Sequence, residues 1–112
     1  MNTSMSEGYI MQGREMLPAM LPGDTLDLEP YQEGSEIANR EVFLCKIIKD
    51  ESELFLRARR AKCKGQPALA FIPDNLHNER PFLRHEVQLL AKVTGLHRKG
   101  APIADNYVTV YA

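Results

Sequence analysis

Two charged residues set in apolar, turn-rich sequence are the first candidates for chemistry. Glu15 lies within Gly13-Arg14-Glu15-Met16-Leu17-Pro18-Ala19-Met20-Leu21-Pro22-Gly23-Asp24, and Arg57 within Leu54-Phe55-Leu56-Arg57-Ala58-Arg59. A carboxylate and a planar guanidinium can each take part in ion pairs with two parallel hydrogen bonds. The plainer reading is that Glu15 points into solvent and Arg57 belongs to an ordinary charged strand. Arginine keeps its proton in proteins, so Arg57 is no general base. The run from Arg57 to Lys64 adds Arg59, Arg60, Lys62 and Lys64, a possible basic surface that could touch nucleic-acid phosphates. A strand would put Arg57 and Arg59 on the face opposite Arg60, and no aromatic residue interleaves the run to stack a base. A solvated strand and loop balancing acidic sequence elsewhere is therefore the favoured reading, and nucleic acid alone is not the expected partner.

Other titratable groups are weaker candidates. His77, His85 and His97 lack neighbouring Cys or carboxylates at ligand spacing, so no metal and no cofactor is expected. Asp24 closes a Gly-Asp turn and reads as a residue that caps backbone amides. Met5, Met11, Met16 and Met20 read as core filling. Cys45 and Cys63 are not paired as Cys-x-x-Cys, and two reduced thiols in a cytoplasmic protein is the simplest expectation.

The 13–24 segment resembles the Gly-x-Ser-Met-x-Pro-x-apolar-x-x-Gly-Asp motif of the LexA-like repressor peptidases and, more distantly, of signal peptidases. Gly13, Met16, Pro18, Met20, Gly23 and Asp24 are in register, and Glu15 stands at the serine. In that family a buried lysine with a lowered pKa deprotonates the serine. Its counterpart here is Arg57, so the resemblance implies a degenerate dyad with no catalytic residue, whose two positions, Glu15 and Arg57, could form an ion pair. Weaker similarities extend over residues 9–98: Gly23 to Leu28, Asn39 to Ile47 without the usual Asn-Gly-Asp opening, Ala68 to Asn75, and Val87 to Gly95. The resemblance implies a mostly-β, single-domain, folded and partly closed sheet that dimerises.

The elements that must position these residues read mainly as strands. Residues 8–12 lead into the motif, where Pro18 and Pro22 limit Met16–Met20 to one helical turn. Residues 42–48 and 54–60 form a hairpin around a polar loop, and 67–73 and 86–96 supply two further strands. The tail 106–111, rich in β-branched and aromatic residues, suggests another. The organisation expected is a short arm over 1–8, one domain over 9–98 and a tail over 99–112.

Composition sets the outer limits. With 112 residues and 44% hydrophobic content the chain can bury one modest core. No apolar run is long enough to span a bilayer and the first residues do not read as a secretion signal, which argues against a signal peptidase. Residues 1–56 carry 4 basic and 11 acidic groups, whereas 57–112 carry 10 basic and 4 acidic. Pairing between acidic and basic surfaces of two subunits is one use for that split. The expectation is a non-catalytic LexA-like homodimer that binds a repressor- or polymerase-related protein in bacterial or phage SOS or lysogeny control. The rival is a peptidase with a displaced nucleophile, Ser4, Ser6, Ser35 or Ser52.

Overall fold

The continuous apolar run Val42-Phe43-Leu44-Cys45 can be buried only if both faces of its strand are covered, since successive side chains point to opposite sides. The computed structural model, which describes residues 8–75 and 81–98, places this run on the middle strand of a seven-stranded antiparallel sheet. The strands are β1 (Tyr9–Ile10), β2 (Thr25–Pro30), β3 (Val42–Ile47), β4 (Glu53–Cys63), β5 (Gln66–Ile72), β6 (Phe82–Leu83) and β7 (Val87–His97). Their spatial order is β1-β2-β7-β3-β4-β5-β6, so the sheet is open, with β1 and β6 at its edges. The fold is mostly β, as the strand patterning and the resemblance both imply.

Alternation along β3 divides the core in two. Val42 and Leu44 join Met11, Met16, Met20, Leu26, Leu28, Phe55, Ala91, Val93 and Leu96 on one face. Phe43, Cys45 and Ile47 join Leu56, Ala58, Phe71, Val87 and Leu89 on the other. Strand β7 serves both clusters because its pairing with β3 skips Leu90 between Leu44↔Ala91 and Cys45↔Leu89. One extra residue reverses the parity of a strand, so Val87 and Leu89 face the second cluster while Ala91 and Val93 face the first.

The observed strands over 9–10, 42–47, 53–63, 66–72 and 87–97 match the expected segments, and Met20 N–H donates to Met16 O at 2.9 Å, giving the single helical turn. Two features differ. Strand β4 runs on to Cys63 and turns directly into β5 through Lys64 and Gly65, with φ of 54° and 79°. This is the left-handed pair that a two-residue hairpin favours, and it keeps the basic run in the strand as far as Cys63, with Lys64 in the turn, where a strand and loop was expected. β6 and a 3-10 turn at Arg84–Glu86 had no clear pattern in the sequence. The expected tail strand 106–111, most of the arm 1–8, and His77 lie outside the described residues. No helix among the described residues is long and apolar enough to cross a membrane.

Candidate functional site

The motif segment is a loop pinned at its base and drawn down by methionines. Met11, Met16 and Met20 are buried in the first cluster. Gly23 N–H donates to Met11 O and Met11 N–H to Asp24 O, both at 2.8 Å, closing the loop. Gly23 has φ of 97°, a conformation that side chains disfavour, which accounts for glycine there. The Asp24 carboxylate, 3% exposed, accepts from Leu21 N–H at 2.7 Å and from Arg98 Nε and Nη2 at 2.9 and 2.8 Å. Burial alone would push its carboxyl up; the Arg98 and Leu21 hydrogen bonds and the Arg98 charge outweigh burial and hold it below its usual range. Asp24 thus caps an amide, as expected, and also carries an ion pair that the sequence did not reveal.

Glu15 does not pair with Arg57. Its carboxylate is half-buried, and Oε2 accepts from Phe55 N–H on β4 at 3.0 Å. The cause lies in the strand ladder: β5 pairs with β4 only from Arg57↔Ile72 onward, so no strand supplies an acceptor at Phe55 on that side. Glu15 supplies it from the motif loop, 40 residues away. Asn75, just past the end of β5, fixes the same loop: its N–H donates to Glu15 O at 2.9 Å and its side-chain amide to Arg14 O at 3.2 Å. A Cβ at Gly13 would collide with Glu15 Oε1, so glycine there leaves room for the carboxylate. The charge is felt by Tyr9, whose ring packs edge-on to Phe55 at 5.5 Å. Burial raises the Tyr9 phenol, and the Glu53 and Glu15 carboxylates raise it further.

Arg57 instead binds Asp74 through a two-point contact, Nε to Oδ1 at 2.9 Å and Nη2 to Oδ2 at 2.7 Å. Its Nη1 donates to Arg40 O at 2.9 Å. One guanidinium therefore ties the end of β5 to the turn before β3. That turn holds a left-handed residue: Arg40 has φ of 81°, unusual for a side chain with a Cβ. Arg40 N–H donates to Ala58 O at 2.7 Å, and Glu41 Oε1 accepts from Ala38 N–H at 2.8 Å, which hold the turn.

These groups frame an open cleft of about 510 Å³ lined by Pro18, Ala19, Arg40, Arg57, Arg59, Ile72, Pro73 and Asp74. It adjoins the motif loop on one side and the Arg57 position on the other. Alternation along β4 sends Arg57 and Arg59 into this cleft, while Arg60 and Lys62 border a shallow depression with Pro67 and Ala68. The basic run is thus divided between two surfaces, as strand geometry requires. Arg40, Asp74 and the Ile72-Pro73 wall were missed in the sequence. Their signal was the Lys64-Gly65 turn, because a two-residue hairpin centred there puts Ile72 opposite Arg57 and Asp74 just beyond it.

Two of the displaced serines, Ser35 and Ser52, fall within the described residues. Ser52 Oγ donates to Asp50 Oδ1 at 2.7 Å, and the Ser52 amide and hydroxyl lower the pKa of that carboxylate, weakening it as a proton acceptor. Ser35 sits in an exposed turn, its N–H donating to Gln32 O. Ser4 and Ser6 lie outside the described residues. Among the described residues no group of three or more His, Cys, Asp or Glu side chains is placed to hold a metal.

No family model matches the chain. A 46-residue stretch is 48% identical to part of a probable tRNA pseudouridine synthase D from Pyrobaculum aerophilum, covering 39% of this chain. The chain spans only 11% of that protein's length.

Proposed function

We propose that this chain is a catalytically inactive, LexA-like peptidase-fold protein that acts by binding another protein. In this reading it works in the cytoplasm as a homodimer, with a repressor- or polymerase-related partner, in SOS- or lysogeny-type transcriptional control. The observation that carries the proposal is the fate of the two dyad positions. Glu15 is spent on the Phe55 amide and Arg57 on Asp74 and Arg40 O, which supports the reading that neither serves as nucleophile or base. The pathway and the partner class rest on the motif resemblance. The pseudouridine-synthase match covers too little of that enzyme to lend its activity to this chain.

The test is labelling of the purified full chain with a fluorophosphonate probe, alongside prolonged incubation at raised pH. Alkaline pH activates lysine-dependent peptidases by deprotonating the amine, whereas arginine does not respond. The expected result is an intact, unlabelled chain. Labelling at any serine, or self-cleavage that persists in Glu15→Ala, overturns the proposal in favour of a displaced nucleophile. Light scattering at tens of micromolar, roughly where weak specific dimers still form, reads the dimer; a monomer there removes that part.

A further inference from the structure

We propose that the cleft beside the motif loop is a binding site for an acidic peptide segment, with Arg40 and Arg59 as its anion-recognising residues. The inference rests on the non-catalytic reading and specifies what the cleft would hold.

The argument begins with charge. Three guanidiniums line the cleft against one carboxylate. Asp74 is fully engaged by Arg57, and both side chains are largely shielded, at 15% and 12% exposure. The guanidiniums of Arg40 and Arg59 make no ion pair among the described residues, and both residues are exposed. The site therefore offers two uncommitted planar donors beside a neutralised third. Guanidiniums recognise carboxylates and phosphates with two-point geometry.

Backbone conformation supplies the second argument. Arg40 occupies a left-handed φ of 81° that glycine would adopt without strain. Its carbonyl is clamped by Arg57 and its amide by Ala58 O, so the turn is fixed from both sides. Holding a strained arginine where glycine would fold better suggests that the side chain is kept for what it binds.

The remaining lining decides between two anionic partners. Pro18, Ala19, Ile72 and Pro73 form apolar walls, and among the described residues no aromatic ring lines the cleft to stack a base. The net charge of the chain, −1, also gives little long-range attraction for a polyanion. A peptide with acidic side chains flanking an apolar one matches both parts of the surface.

The experiment uses the isotope-labelled full chain titrated with acetyl-Ala-Glu-Leu-Glu-Ala-amide, with its Gln-for-Glu analogue, and with single-stranded oligothymidylate, followed by amide chemical shifts. The acidic peptide is expected to shift signals at residues 18–19, 40, 57–59 and 72–74, and the neutral analogue to leave them in place. Arg59→Gln should weaken the interaction about tenfold, the scale of one lost charged hydrogen bond. Arg40→Gly should weaken it similarly while being at least as stable to urea as the parent, since it relieves the strained φ. That combination separates a binding role from a structural one. No shifts from the acidic peptide, equal shifts from the neutral analogue, unchanged affinity in both variants, or preference for oligothymidylate would each overturn the inference. Cleavage of the peptide would instead overturn the non-catalytic reading; an intact peptide that fails to bind overturns only this one.

Discussion

Asp24 and Arg98, separated by 74 residues of sequence, form a two-point ion pair that fastens the motif loop to the end of β7. The carboxylate is almost fully buried and the Arg98 side chain is 21% exposed, so loss of either partner strands a shielded charge. Asp24→Asn should lower stability by about 2 kcal/mol at neutral pH, the scale of hydrogen bonds to a charged group.

The same pair gives the molecule an acid limit. The folded pKa of Asp24 is depressed, so its contribution is present above the unfolded value of about 3.9 and disappears as pH falls through the folded pKa. Urea midpoints measured across the acid range should fall more steeply for the parent than for Asp24→Asn, with the gap closing at the lowest pH. Parallel curves would show that the pair contributes nothing to pH dependence.

Gly13 and Glu15 should be energetically coupled. Gly13→Ala places a methyl group on Glu15 Oε1 and forces the carboxylate off the Phe55 amide, a cost of about 1–2 kcal/mol. In a Glu15→Ala background that collision is gone, and the alanine should cost less by at least ~0.5 kcal/mol. A double-mutant cycle by chemical denaturation reads the coupling; strict additivity would place the Glu15 side chain elsewhere.

Arg57→Lys preserves charge but not the fork. An ammonium cannot hold both Asp74 oxygens and Arg40 O in the same geometry, so a loss of about 1–2 kcal/mol is expected, reduced by the partial exposure of the pair. The Asp74→Asn change made in that variant should then cost less than in the parent. Equal costs in the two backgrounds would remove the clamp.

The two cysteines should differ sharply in reactivity. Cys45 is fully buried between strands, and burial pushes its thiol up to about 12 despite the opposing charge of Arg84. Cys63, at the end of β4, is partly exposed. A chromogenic disulfide reagent at mildly alkaline pH should titrate one thiol in the native chain and two after unfolding. Two fast thiols in the native state would mean that the second cluster opens readily.

The apolar alternation of Thr25–Pro30, the buried run Val42–Ile47 and the pattern of Val87–His97 were readable in the sequence because burial of side chains is a local, periodic requirement. So was the turn at Gly23-Asp24, which follows from residue type alone. Partner choice was not. The motif resemblance suggested that Glu15 and Arg57 would pair, yet Glu15 went to a backbone amide left unpaired where β5 stops, and Arg57 to a carboxylate brought alongside by the Lys64-Gly65 hairpin. Which donors lack acceptors depends on where each strand ends, and the two bulges of β7 depend on which cluster each segment must face. Those are properties of the assembled sheet: charge attraction decides that a guanidinium will find a carboxylate, and the ladder of backbone hydrogen bonds decides which one.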